Sequence, residues 1–259
     1  MPAGARARGR ATLVGRVARL VRVALSPISE GELDLDRRQS HYLCHVHRLG
    51  PADRFVAFDP LGQIEADAEL LQVGSRRARC RLGEVRAARL VSRLNVTLWQ
   101  ALGKGDRIDQ VVRDATALGV RRLVVVETAR AALRLGDGAG RRAERWRTIA
   151  VEAARQSGRG DLPELAGPIR LEQALERLGN TGGLRLCLDT GASHTLGEAL
   201  RGWRHEEPLT ALVGPEGGFG TDELERVRQN FELVSLGPFT LRTETAATAL
   251  MGALLAWGA

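Results

Sequence analysis

Glu216, Arg242 and Glu244 stand in two glycine-bearing stretches near the end of the chain, and their neighbours limit the chemistry open to them. The first stretch is Leu212-Val-Gly-Pro-Glu-Gly-Gly-Phe-Gly-Thr-Asp-Glu223. Its glycines at 214, 217, 218 and 220 admit positive φ and let a ligand approach bare backbone, while Pro215 stiffens the entry. The second stretch, Leu236-Gly-Pro-Phe-Thr-Leu-Arg-Thr-Glu-Thr-Ala246, follows after one helix and one strand, and the two read as halves of one site. The first loop is neither the dinucleotide pattern GxGxxG nor the P-loop GxxxxGK[ST]. Glu216 within it repels phosphate, so a neutral or cationic ligand against backbone groups fits better. A tight strand-to-helix turn with no ligand is the competing reading of that loop taken alone.

Arg242 is positioned to supply electrostatic stabilisation or to orient a substrate. The alternative for it is a structural ion pair with Glu244 or Glu216. Glu244, at a helix start, is a catalytic candidate that equally suits satisfying backbone donors. His41 and His45 lie four apart and can share a helix face as metal ligands do, but no carboxylate or second cluster supports them, so no metal is expected. Cys44, Cys80 and Cys187 are too far apart for a CxxC site and odd in number, which suits a reducing cytoplasm.

The elements that must hold these loops fall into two patterns. The chain has 259 residues, 44% of them hydrophobic, and no apolar run of membrane-spanning length. Residues 1–17 form a basic stretch expected to be a disordered extension, although its lack of acids also resembles a transit peptide. Residues 18–88 show short strands with Gly/Pro turns: 18–25, 54–58, 63–71 and 77–86. A turn-like segment occupies 26–36 and a short helix 36–46. This predicts a small β-barrel or open sandwich. The net charge of +7 is concentrated here, since residues 1–90 carry 16 Arg and 10 acids. A basic small barrel is a common way to hold RNA. Residues 89–259 alternate strands (95–102, 122–126, 184–188, 209–213, 231–236) with helices (106–118, 141–157, 171–178, 221–229, 243–257). Such alternation predicts an α/β layer on a parallel sheet, with ligands beyond the carboxyl ends of the strands. Thr221 is the expected N-cap of its helix.

The paired loops, at this spacing, strongly resemble those of the RsmE family of SPOUT-class methyltransferases, which methylate uridine N3 in small-subunit ribosomal RNA. The resemblance extends to Glu152-Ala-Ala-Arg-Gln-Ser-Gly-Arg159, to Lys104-Gly-Asp106, to Leu118-Gly-Val120, and to His41-Tyr-Leu43 with Val46 and Arg48. It implies an α/β fold with a C-terminal SPOUT-type parallel sheet closed by a trefoil knot, plus an N-terminal PUA-like RNA-binding barrel. It implies S-adenosyl-L-methionine as cofactor, held by Leu188, Val213, Gly214, Pro215, Glu216, Gly217, Gly218, Leu236, Gly237, Pro238, Leu241 and Thr243. Arg242 and Glu244 would be the catalytic pair, and Arg19, Arg22, Arg48, Arg155 and Arg159 would contact RNA. The partners implied are small-subunit rRNA or the 30S subunit and a second copy of the chain, docked through Ala246, Ala247, Leu250, Met251, Leu254 and Leu255. The setting implied is cytoplasmic.

The chain departs from the family pattern at several places. Phe239 stands where a second arginine is usual, removing a charge but offering a face for base stacking. Arg113 and Ala117 replace a Lys and a Glu, and Arg130-Ala131 lacks the usual serine. Two alternatives therefore stay open: an RNA-binding protein of this fold without catalysis, or a SPOUT methyltransferase acting on another RNA base.

Overall fold

A computed structural model of the chain describes residues 21–74, 77–103, 106–131, 138–179 and 182–257. Its elements gather around two six-stranded sheets.

The first sheet is built from β1 (Arg22–Ala24), β2 (Gly31–Asp34), β3 (Arg54–Asp59), β4 (Ile64–Val73), β5 (Ala78–Leu82) and β6 (Arg86–Ala87). Its order is β1-β3-β4-β5-β2, with β6 also on β4, so β1 and β2 end the path. Between β2 and β3 runs α1 (Arg37–Ser40), continued by a π-helical turn over His41–Val46. Asp36 caps α1, accepting from Gln39 N–H at 2.7 Å while the Gln39 side chain accepts from Asp36 N–H. Phe55, Leu35, Leu43, Leu70 and Leu82 fill this sheet's core.

β2 corrects the sequence reading, which treats 26–36 as a turn. Its strand character comes from a partner more than forty residues away: it pairs antiparallel with β5, and Arg79–Asp34 and Arg81–Glu32 ion pairs at 2.8 Å lace the two strands.

The second sheet consists of β7 (Val96–Ala101), β8 (Arg122–Glu127), β9 (Glu164–Arg170), β10 (Leu184–Leu188), β11 (Leu209–Val213) and β12 (Glu232–Val234), in the order β12-β10-β11-β7-β8-β9. All five pairings are parallel. The helices are α2 (Arg107–Ala117), α3 (Ala139–Ser157), α4 (Leu171–Arg177), α5 (Leu196–Ala199), α6 (Thr221–Asn230) and α7 (Thr243–Ala256). Alternation along each strand divides the core in two. Leu98, Leu123, Val125, Ala211 and Val213 face the layer holding Val111, Trp146 and Leu250, on α2, α3 and α7. Trp99, Val124, Val126 and Leu212 face Leu171 and Val227, on α4 and α6. The sheet is therefore covered on both faces, as a parallel sheet requires.

Like the short α5, β9 is a further element the sequence reading misses. It contains Gly167-Pro168, which normally argues against a strand, but it lies at the sheet edge, where a missing N–H costs no ladder bond. The α6 boundary also shifts. Gly220 is the N-cap and Thr221 the first helical residue, because the Glu223 carboxylate reaches back to the Gly220 N–H at 2.9 Å.

Candidate active site

The sheet order brings the two glycine-bearing loops together. β12 and β11 flank β10, and because all three run parallel, the segments leaving their carboxyl ends emerge side by side. Between them lies a cleft of about 670 Å³. The end of β10 supplies Leu188, Asp189 and Thr190; the β11 loop supplies Val213, Gly214, Pro215, Glu216 and Gly218; the last loop supplies Leu236, Gly237, Phe239, Leu241, Arg242 and Thr243. Of the expected cofactor residues, Gly217 and Pro238 do not line it. Gly217 instead offers its carbonyl to Arg130 Nη1 at 3.1 Å.

Backbone conformation makes the glycines necessary at two places. Gly237 has φ +139° and Gly218 φ +68°, values a side chain tolerates poorly, and a Cβ on either would meet no heavy atom within 4 Å. Gly214 is needed for a different reason: a Cβ there would come within 2.8 Å of the Phe219 ring.

A buried carboxylate pins the β11 loop. Glu223 accepts from the Ala129 N–H at 2.7 Å as well as from Gly220, tying the loop after β8 to the start of α6. The Ser235 hydroxyl makes the same kind of local tie in the last loop, bonding the Gly237 N–H and carbonyl at 3.1 and 3.0 Å.

Arg107 is the residue the sequence reading overlooks. It lines the cleft from the first turn of α2, is ion-paired to Glu216, and its Nε lies 3.9 Å from a Glu244 carboxylate oxygen. The partner of these two acids is thus Arg107, not Arg242. Arg242 is exposed at the N-cap of α7 and lines the cleft as an available cation. Glu244 is buried and outside the cleft lining, with its carboxylate facing Arg107. The signal for Arg107 was present, since it directly follows Lys104-Gly-Asp106.

The arginines expected to meet RNA divide sharply. Arg22 is taken up by Glu65 at 3.0 Å and lies 4.6 Å over the Phe58 ring, so it is part of the fold. Glu65, only 1% exposed, also faces Arg86 and Arg89 at 3.4 and 3.3 Å. Arg159 is buried, paired with Asp161 at 2.7 Å and donating to the Thr116 carbonyl at 3.0 Å, which removes it from any surface. Arg48 is exposed. Arg155 stacks on Tyr42 at 3.7 Å from the ring centroid. Arg19 lies outside the described residues.

Burial pushes the Cys187 thiol up to about 12 and Cys80 to about 11, so neither is a nucleophile at neutral pH. The His41 and His45 rings lie 5.2 Å apart, and among the described residues no group of three His, Cys, Asp or Glu is placed to hold a metal. No described helix is long and apolar enough to cross a membrane.

Residues 91–255 match the family model of the RNA methyltransferase domain. The chain belongs to this family. It is 33% identical over 228 residues to ribosomal RNA small subunit methyltransferase E of Synechocystis, covering 87% of this chain and 73% of that one. Two solved structures share its overall fold. A Legionella pneumophila protein, 29% identical, superposes with a TM-score of 0.81 over 92% of this chain and 98% of its own, and carries bound S-adenosylmethionine (SAM). The ribosomal RNA small subunit methyltransferase E of Neisseria gonorrhoeae, also bound to SAM, is 28% identical, with a TM-score of 0.80 over 91% and 96%.

Proposed function

We infer that the chain is a SAM-dependent methyltransferase of small-subunit ribosomal RNA, acting at N3 of a uridine. The observation that carries this reading is the cleft itself, in which two backbone-lined loops meet at the carboxyl ends of β10, β11 and β12 in a chain of this family.

The residues present fit the cofactor. SAM joins an amino-acid zwitterion to a sulfonium and an adenosine, so its site needs both signs of charge and close backbone approach. The lining offers Asp189 and Glu216 against Arg107 and Arg242, with Gly214, Gly218 and Gly237 leaving the backbone bare. A phosphate site would lack the acids. When bound, SAM supplies an electrophilic methyl group on its sulfonium.

The protein's part is positioning and electrostatics. Uridine N3 carries a proton at neutral pH, and negative charge develops on the uracil as that proton leaves. Arg242, exposed at the cleft mouth and free of the Glu216–Arg107–Glu244 set, is placed to stabilise that charge. Phe239, 79% exposed on the same loop, offers a face on which a base can stack.

The finer architecture follows the same reading. We assign residues 18–88 to a PUA-like RNA-binding barrel, 89–259 to the methyltransferase domain, and the C-terminal segment to a trefoil knot. A second copy docks on α7. Ala247, Leu250, Met251 and Leu254 are buried in the chain's own core, so the docking stripe is Thr245, Ala249, Leu255 and Ala256, which carries no charge. The ribosomal substrate places the enzyme in the cytoplasm.

Calorimetry with SAM, followed by mass spectrometry of digested rRNA after incubation with 30S subunits, tests the reading. Micromolar or tighter SAM binding and a 3-methyluridine product are expected. Absence of SAM binding leaves only an RNA-binding protein, and methylation of another base changes the target.

A further inference from the structure

A second cleft, of about 460 Å³, lies between the first sheet and α3. Two segments singled out in the sequence meet there: Tyr42, from the π-helical turn, and Arg155, from the end of α3. The Arg155 guanidinium carbon lies over the ring of the chain's one tyrosine, 3.7 Å from its centroid. Stacking satisfies the face of a guanidinium and leaves its N–H edge for a carboxylate or phosphate. One edge is ion-paired to Glu152, while Nη1 is buried with no hydrogen-bond partner among the described residues.

Its carboxylate partner is shared. Glu152 also faces Arg38, at 3.5 Å, so two guanidiniums share one carboxylate. The other acids of the cleft are engaged elsewhere: Asp36 caps α1, and Glu144 pairs with Arg147 at 3.4 Å. Burial, and then the nearby charge of Arg38, hold Arg155 below the usual arginine range. Arg159, four residues on, shows the contrast, since Asp161 neutralises it fully within the core. Arg38 is 73% exposed, and an ion pair at that exposure is weak, so an incoming anion can displace it. Val46, also exposed, stands on the rim in a π-helical turn, an irregularity common at functional sites.

We propose that this cleft anchors the substrate RNA away from the target base, seating a backbone phosphate on Arg155 and Arg38 in place of their shared Glu152. The inference rests on the rRNA reading above. It makes Glu152 a competitor of the RNA.

The test is equilibrium binding of the full-length protein to 30S subunits across a salt series, at constant magnesium. Arg38→Gln and Arg155→Gln are each expected to weaken binding several-fold. Each is also expected to flatten the slope of log affinity against log salt by about 0.7–0.9, the contribution of one phosphate contact. SAM affinity should not change. Glu152→Gln is expected to bind 30S subunits about threefold more tightly, an effect that a purely structural ion-pair cluster does not produce. Because Arg155 is largely covered, Arg38→Gln, on an exposed side chain, serves as the variant that keeps the fold. Unchanged slopes in the arginine variants, or unchanged or weaker binding by Glu152→Gln, overturn the proposal while wild-type methylation of 30S subunits leaves the function standing. A wild-type protein that binds SAM but not 30S subunits overturns both.

Discussion

The two clefts of this molecule present a ligand with opposite surfaces. The cleft at the ends of β10, β11 and β12 is walled by backbone and by glycines, and carries both signs of charge, Arg107 and Arg242 against Asp189 and Glu216. The cleft beside α3 is walled by side chains, with the guanidiniums of Arg38 and Arg155 sharing the Glu152 carboxylate beside an aromatic ring. The first suits a small molecule whose charges cancel locally, where affinity comes from shape. The second suits one anion of a long polymer, where affinity comes from charge and responds to salt. An enzyme that moves a methyl group from a small cofactor to a large RNA needs both kinds of surface.

Variants that act on one cleft and spare the other sharpen this contrast. The largest effect is expected from Gly237→Ala. A side chain at φ +139° forces the last loop to rearrange, at a cost of about 1–3 kcal/mol, and SAM affinity measured by calorimetry should fall up to about 100-fold with 30S binding retained. Next is Glu223→Gln. The carboxylate serves two backbone N–H groups, and the amide presents an NH₂ to one of them. Thermal unfolding should report a loss of about 2 kcal/mol, with weaker SAM binding as the β11 loop loosens. The smallest expected effect is that of Phe239→Ala, which removes a stacking face worth about 1–3 kcal/mol. Methyl-transfer kinetics should show KM for 30S subunits raised about tenfold with SAM affinity unchanged, and Phe239→Trp should restore it. Equal loss of SAM binding would place Phe239 with the cofactor instead of the base.

Periodicity and turn chemistry carry far in this chain. The recurrence of Ile108, Val111, Val112 and Ala115 at helical spacing marks the inner face of α2, and these side chains are buried in the structure. Gly119 and Gly158, at φ +87° and +86°, end α2 and α3 where a reader of the sequence places the stops. Local signals fail where a distant partner decides, as for β2, which needs β5, and for β9, whose proline is tolerated only at an edge.

By itself the sequence determined the α/β alternation, the pairing of two glycine-bearing loops, and the family to which their spacing points. These are local properties, set by side-chain period and by the φ values that glycine alone tolerates. The tertiary structure alone decided which charges are free. Arg22 and Arg159 look like RNA ligands in the sequence, and Glu65, 43 residues away, and Asp161 withdraw them into the fold. Arg107 enters the site, and Arg155 meets Tyr42, only because the chain folds α2 beneath the loops and α3 against the first sheet. A charge is available or spent according to its neighbours in space, and those neighbours are far apart along the chain.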